Sequence, residues 1–118
     1  MRIRSLHHAS VRVSDLARAR DFYEGLLGLR TAPRPDLGLP GAWYDLEPAQ
    51  VHLIAQPGTP GTLGAIDPTG PHFALEVESV ADVKRILDAR GVAYLEFGGP
   101  QLWIQDPDGN VVELCERA

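Results

Sequence analysis

His8-Ala-Ser-Val-Arg-Val13 and His72-Phe-Ala-Leu-Glu-Val77 repeat one pattern 64 positions apart in this chain of 118 residues, and the predicted fold follows from this repeat. Both alternate polar and apolar residues, and this alternation is typical of a strand with one buried face. A repeat of this kind constrains the topology, since each copy is expected to form the same local structure. The sequence therefore predicts two similar halves.

A helix is predicted after each of these strands. In the first half, apolar residues recur at helical spacing after Ser14 or Asp15, either of which can cap the helix, and Gly28 marks its end. In the second half the same pattern runs from Ser79 to Gly91. Further strands are predicted at 29–31, 42–46 and 51–55 in the first half, and at 92–95, 101–105 and 111–115 in the second.

The fold class that follows is α+β, with two pseudo-symmetric βαβββ modules in a single domain covering residues 1–118. Module 1 spans about 4–56, a linker about 57–70, and module 2 about 71–116. The separation between matched positions falls from 64 to 61 along the chain, which predicts that the length differences lie in loops. The linker is rich in Pro and Gly, and this composition fits either a lid or a plain connection.

Composition narrows the classes of function. A net charge of −5 and an isoelectric point near 5.2 argue against a nucleic-acid-binding protein, which would carry a basic face. No apolar run in this sequence is long enough for a membrane span, and we expect no signal peptide in the first residues. Because Cys115 is the only cysteine, no intrachain disulfide is possible, and we expect a cytoplasmic protein.

Four metal-binding side chains occupy matched positions in the two halves. Strand alternation directs His8 and His72 away from the predicted helices, and it directs His52 and Glu113 to the same side. A single strand histidine is usually a half-buried polar residue, but three of the four histidines fall on these repeat-related positions, and only His7 does not. Imidazole and carboxylate together suit Zn, Mn, Fe(II), Co or Ni, so the pattern predicts a divalent metal site.

The motifs resemble those of the vicinal oxygen chelate superfamily, which includes glyoxalase I, extradiol dioxygenases, fosfomycin-resistance transferases and metal-free bleomycin-binding proteins. The matching motifs are His8-x6-Asp15-Leu16, Phe22-Tyr23, Leu27-Gly28-Leu29 and Asp106-Pro-Asp-Gly-Asn-Val-Val-Glu113-Leu114. The resemblance implies a curved mixed sheet around a metal cup that binds a small-molecule substrate. The ligand positions that it implies are His8, His52, His72 and Glu113.

The resemblance also suggests roles for individual residues. Arg12 matches a position that contacts the glutathione carboxylate in glyoxalase I, although it also fits an exposed rim residue. Trp43 and Trp103 are candidates to line the substrate site, with core packing as the alternative for at least one of them. Glyoxalase I commonly carries Glu where this chain has His52, which leaves Glu113 as the only carboxylate for proton transfer.

Glyoxalase-like lyase or isomerase chemistry is the leading hypothesis for function. An extradiol-type dioxygenase is an alternative, in which two histidines and Glu113 hold Fe(II) and the third histidine does acid–base work. A thiol transferase acting on an antibiotic and a drug-sequestering protein without enzymatic activity are further alternatives. We also expect a homodimer, because two small open sheets leave edges that proteins usually cover.

Overall fold

The computed structural model describes residues 1–58 and 62–117 and contains two compact units, Met1–Pro60 (unit 1) and Gly61–Ala118 (unit 2). Residues 59–61 of the predicted linker lie outside the described residues. Each unit contains one four-stranded mixed sheet and one helical stretch, so the predicted α+β class is confirmed. Within the described ranges, no helix has the length and apolar character needed to cross a membrane.

The two sheets share one topology. Unit 1 consists of β1 (His8–Val13), α1 (Leu16–Arg20) continued by a π-helical segment (Asp21–Leu26), β2 (Arg30–Ala32), β3 (Gly41–Leu46) and β4 (Ala49–Ala55). Unit 2 consists of β5 (His72–Glu76), α2 (Val80–Ala89), β6 (Leu95–Glu96), β7 (Gln101–Gln105) and β8 (Val111–Cys115). The strand orders are β1-β4-β3-β2 and β5-β8-β7-β6. In each sheet the first and last strands of the unit pair in parallel and the other pairs are antiparallel, so the predicted duplication is confirmed.

The duplication extends to strand register. In unit 1, Trp43 lies directly opposite His52, and in unit 2, Trp103 lies directly opposite Glu113. Directly opposed residues share a face of the sheet, so each tryptophan is on the same face as a candidate metal ligand. The sequence pattern predicted the strands; the register of each pair becomes visible only in the structure.

Both helices begin and end where the sequence predicts. Asp15 and Ser79 are the caps, and each accepts a hydrogen bond from a backbone N–H of the first turn. Gly28 and Gly91 follow the helices with φ of +70° and +66°, which favours glycine. The first helical stretch has one residue more between cap and glycine, and the π-helical segment accommodates it. The prediction that length differences lie only in loops is therefore wrong at this point, because a helix can also absorb a residue.

The apolar faces of the sheets supply the core. In unit 1, the fully buried rings of Tyr23 and Tyr44 stack between the helical stretch and β3, with centroids 6.2 Å apart. In unit 2, Leu87 of α2 and Leu102 and Val112 of the sheet are buried. Alternation places the candidate ligands on the opposite face of each sheet, as predicted.

A partly buried hydrogen bond connects β3 to the helical stretch of unit 1. The Tyr44 hydroxyl donates to Glu24 Oε2 at 2.8 Å, and Arg20 Nε donates to the same oxygen at 2.7 Å. Burial raises the pKa of the Glu24 carboxyl, but these two hydrogen bonds and the charge of Arg20 together lower it by more. The folded-state pKa of Glu24 is therefore below its ordinary value of 4.5.

Replacing Tyr44 with Phe should reduce the free energy of unfolding by about 1–2 kcal/mol near neutral pH, because a hydrogen bond to a carboxylate is lost. A lowered folded-state pKa means that the contribution of Glu24 is present above its ordinary pKa and is lost as the pH falls through the folded value. The difference between wild type and variant should therefore shrink in urea unfolding at about pH 3. Tyr94→Phe is the matched control, because Tyr94 donates to Asp88 on the exposed surface, and it should change stability little. A difference for Tyr44→Phe that is as large at about pH 3 as at about pH 7 would contradict this account.

Candidate metal centre

His72 and Glu113 form a close pair on one face of the unit 2 sheet. In the parallel pairing of β5 with β8, Ala74 lies opposite Glu113, so His72 is its diagonal neighbour. His72 Nε2 is 2.9 Å from Glu113 Oε1, and the two side chains are 22% and 18% exposed. His72 Nδ1 is 2.7 Å from the carbonyl oxygen of Gly70. A carbonyl can only accept a hydrogen bond, so Nδ1 carries a proton.

This arrangement leaves an electron pair on His72 Nε2 facing a carboxylate oxygen. A neutral imidazole with its proton on Nδ1 and a carboxylate are both acceptors at this contact, so a cation is needed between them. In the absence of a metal the cation is a proton. The Gly70 carbonyl raises the pKa of His72, burial opposes this, and the Glu113 carboxylate raises the pKa further. A backbone carbonyl that fixes the second imidazole nitrogen is also a common feature of metal-binding histidines.

In unit 1, His52 lies between two other aromatic rings on one face of the sheet. Its centroid is 4.1 Å from that of His8, with 17° between the planes, and 4.1 Å from that of Trp43, with 3° between the planes. His7 extends this group, since its Nδ1 is 2.9 Å from His8 Nδ1. One face of the Trp43 ring is therefore covered by His52, and only the other face is available to a ligand.

A chain of hydrogen bonds fixes the tautomer of His52. The amide nitrogen of Gln50 donates to Asp45 Oδ1 at 2.9 Å, which leaves the amide oxygen of Gln50 as an acceptor. His52 Nε2 lies 2.8 Å from that oxygen, so Nε2 carries the proton and Nδ1 the electron pair. Burial lowers the pKa of His52, and the nearby positive charges, including that of Arg34, lower it further. No sequence motif marks Gln50 as a functional residue, although its parity on β4 places it on the same face as His52.

The candidate ligands are thus brought together as two pairs, one in each unit. Within the ranges 1–58 and 62–117, the structure does not place three or more His, Cys, Asp or Glu side chains as a group able to hold a metal ion. The two pairs differ in how ready they are to bind a cation, because the two facing acceptors of the His72–Glu113 contact already need one. The stacked rings of His8 and His52 direct their nitrogen electron pairs along nearly parallel planes. Those two rings would have to turn if both were to bind one ion.

The three predicted substrate contacts have different surroundings in the structure. Arg12 is exposed, and its guanidinium donates to the carbonyl oxygen of Pro57 at 3.2 Å. Trp43 is half-buried in the stack with His52. Trp103 is only 7% exposed, and its ring packs edge-on against Phe97 with centroids 5.7 Å apart. Burial of this degree is typical of packing, which was the alternative for one of the two tryptophans.

The Asp-Pro-Asp-Gly-Asn segment forms the turn between β7 and β8 and so sets the position of Glu113. Asp106 is 1% exposed, and its Oδ1 accepts from the backbone N–H groups of Asp108 at 2.9 Å and Asn110 at 2.8 Å. Its Oδ2 accepts from the Asn110 side chain at 2.8 Å. Gly109 has φ of +84°, which this turn requires. These bonds occupy the Asp106 carboxylate as a structural acceptor.

Gln105 fixes part of the predicted linker to unit 2. Its side-chain oxygen accepts from the backbone N–H of Gly64 at 2.7 Å, and its nitrogen donates to the carbonyl oxygen of Thr62 at 2.7 Å. Gln105 has the parity of Trp103 on β7 and therefore lies on the face that carries Glu113. The segment around Gly64 is thus anchored to the end of β7. No local sequence pattern predicts this contact.

Comparisons with known proteins give a consistent result. Residues 5–114 match the family described as the Glyoxalase/Bleomycin resistance protein/Dioxygenase superfamily. The chain is 32% identical to "Glyoxylase I 4" of Arabidopsis thaliana over 126 residues, covering 98% of this chain and 72% of that protein. It is 31% identical to the lactoylglutathione lyase of Escherichia coli O157:H7 over 127 residues, covering 95% and 92%. A genomically encoded fosfomycin resistance protein from Listeria monocytogenes has a similar fold, with a TM-score of 0.80 at 15% identity and coverage of 99% and 94%.

Proposed function

The chain belongs to the Glyoxalase/Bleomycin resistance protein/Dioxygenase superfamily, and on this basis we propose that it is a metal-dependent lyase or isomerase of the glyoxalase type. Its substrate is a small molecule with two adjacent oxygen atoms. Support comes from the names of the relatives that cover nearly the whole chain, a glyoxylase I and a lactoylglutathione lyase. Fold alone would not support a reaction, so the proposal depends on the site.

The pair of His72 and Glu113 carries the proposal. Its two facing acceptors need a cation, and a nitrogen and a carboxylate oxygen suit Zn, Ni, Mn, Fe(II) or Co. We assign His8 and His52 as the further ligands of the same ion. When bound, a divalent ion supplies Lewis-acid stabilisation of negative charge on the substrate oxygens.

Glu113 is assigned the proton transfer between adjacent carbons of the substrate, because it is the only carboxylate among the four candidate ligands. Trp103 lies directly opposite Glu113 on β7 and is nearly buried, so we assign it the role of limiting the access of water to this carboxylate. The guanidinium of Arg12 and the uncovered face of Trp43 are the proposed substrate contacts. Trp103 then contributes by packing and shielding.

One observation favours a second candidate function. His52 is stacked between the rings of His8 and Trp43, and burial lowers its pKa, which suits a neutral acid–base group. Without it, the ligand set is two histidines, His8 and His72, and the carboxylate of Glu113. Two histidines and one carboxylate are typical of Fe(II) oxygenases. The second candidate is therefore a ring-cleaving dioxygenase that uses oxygen and a catechol.

Metal analysis of protein purified without a histidine tag tests the proposal. We expect about one divalent ion per chain, loss of turnover of hemithioacetals on chelation, and recovery when the ion is restored. His72→Ala should weaken binding of the ion by about 100-fold or more, since even indirect contacts to a metal contribute 10- to 100-fold. Turnover of catechols with Fe(II) alone would favour the second candidate. Absence of any bound ion, together with no thermal shift on addition of divalent ions, would contradict both.

We also propose that the protein is a homodimer. Strands β1 and β2 stand at the ends of the unit 1 sheet, and β5 and β6 at the ends of the unit 2 sheet. Proteins usually cover such edges, because their backbone groups invite pairing with other chains. Light scattering at micromolar concentration should give the mass of two chains, and a monodisperse monomer would contradict the proposal.

A further inference from the structure

A cavity of about 170 Å³ lies in unit 1, next to the start of β3. β2 reaches only as far as the partner of Trp43, so β3 begins beyond the end of β2. Two guanidinium groups, of Arg20 and Arg34, line the cavity together with the polar side chain of Thr31, and its lining contains no carboxylate. The cavity is therefore positively charged on balance.

Arg34 is held in place by its surroundings. Its Nη2 donates to the carbonyl oxygen of Leu39 at 2.8 Å. Gly41 lies beside the guanidinium: a Cβ at this position would clash first with the backbone oxygen of Leu53 and would also come within 2.9 Å of Arg34 Nη2. The side chain is thus fixed at one end by a hydrogen bond and flanked by backbone. An arginine held in this way keeps its planar donors in a fixed orientation.

The charge of Arg34 has no counterpart among the described residues. Arg20 is paired with Glu24 at 2.7 Å, whereas no ion pair of Arg34 is formed within 1–58 or 62–117. In the same part of the chain, Arg34 Nε is buried and has no hydrogen-bond partner. A buried donor on a charged group without an acceptor is unfavourable, and a ligand oxygen would remove the penalty.

We propose that Arg34 binds the anionic group, a carboxylate or a phosphoryl group, of the substrate of the proposed enzyme. Both groups present oxygens that match the parallel N–H donors of a guanidinium. Trp43 lines the cavity and stacks on His52, so an anion held there is next to the face that carries the candidate metal ligands of unit 1. Arg34 therefore selects substrates that carry an anionic group in addition to their adjacent oxygens. This inference rests on the proposed function for its substrate, but the anion site itself can be tested without turnover.

Titration with inorganic phosphate and with acetate tests the anion site in metal-free protein. Ionic strength is held constant with sodium chloride, and binding is followed by the thermal midpoint and by tryptophan fluorescence. Wild type should respond saturably to at least one of the two anions, and the tighter-bound one identifies the preferred group. Arg34→Gln should weaken binding by about tenfold or more, as expected when a charge-assisted pair of hydrogen bonds is lost.

Two further variants keep this test decisive. Arg34→Lys retains the charge but loses the planar fork, and it should bind the anion with intermediate affinity. Arg85→Gln removes the same charge from the exposed surface of α2, where Arg85 pairs with Asp82, and it should bind as wild type does. If Arg34→Gln and Arg34→Lys bind as tightly as wild type, or if wild type shows no saturable response, the anion site is refuted.

A pair of matched substrates, one with and one without a carboxylate, tests the selectivity. Wild type should prefer the carboxylated compound in kcat/KM, and Arg34→Gln should reduce that preference by about tenfold. A preference that Arg34→Gln leaves unchanged overturns this inference while the proposed function stands. Saturable, Arg34-dependent anion binding in a protein that binds no divalent ion refutes the proposed function and supports the anion site alone.

Discussion

Glu113→Gln should lower kcat by about 100- to 10,000-fold while leaving the fold intact. The substitution removes the carboxylate that we assign to proton transfer, and general base catalysis contributes a factor of this size. It also removes the negative charge from the proposed ligand set, so the affinity for the divalent ion should fall. The fold should persist because the amide of Gln can donate to His72 Nε2, which now lies 2.9 Å from the carboxylate. Steady-state kinetics at saturating metal separates the loss in kcat from the loss of metal.

Glu76→Gln is the matched control for this experiment. Glu76 is on β5, has the same parity as His72, and makes an exposed ion pair with Arg117. An exposed pair of this kind contributes little to stability, so this variant should retain both metal and turnover. Equal losses in the two variants would mean that the effect comes from the charge of the sheet face, and would contradict the role assigned to Glu113.

Asp106→Ala should destabilise the protein by about 3–5 kcal/mol. The buried carboxylate accepts three hydrogen bonds, from the backbone of Asp108 and from the backbone and side chain of Asn110. Alanine leaves these donors without a partner, and each unpaired buried donor is unfavourable by about 1–3 kcal/mol. The thermal midpoint should fall by about 10–20 °C. Thermal unfolding followed by circular dichroism measures the change.

The control for the turn is Asp67→Ala. Asp67 accepts from the backbone and hydroxyl of Thr69 in a similar local pattern, but it is exposed to solvent. Water can replace the lost acceptor there, so we expect little change in stability. If Asp106→Ala were no more destabilising than Asp67→Ala, the turn would not depend on its buried carboxylate, and its role in positioning Glu113 would be lost with it.

Most of the fold could be predicted from alternation and capping. The predicted strands 101–105 and 111–115 coincide with β7 and β8, because apolar residues alternate there and Asp106 and Gly109 mark a turn. The helix starts at Asp15 and Ser79 could be predicted equally well, since capping depends on one side chain and the N–H groups next to it. These features are local, and a single sequence displays them.

The contacts that shape the candidate site could not be predicted from such local patterns. The hydrogen bond from His52 to Gln50 depends on side-chain rotamers, and so does the hydrogen bond from Arg34 to the Leu39 carbonyl oxygen. The anchor between Gln105 and Gly64 joins residues 41 positions apart. Such contacts follow from tertiary packing, so parity could select faces of the sheets but could not identify these partners.

The π-helical segment Asp21–Leu26 explains how the two halves of the chain differ in length by one residue within their helices. Gly28 is 13 positions after its cap, whereas Gly91 is 12 positions after Ser79, and both glycines take the same left-handed conformation. The wider π turn stores the additional residue and lets the neighbouring rings of Phe22 and Tyr23 both be buried. The one-residue difference between the two halves is thus absorbed inside a helix, and the strands that follow keep the same order and pairing in both units.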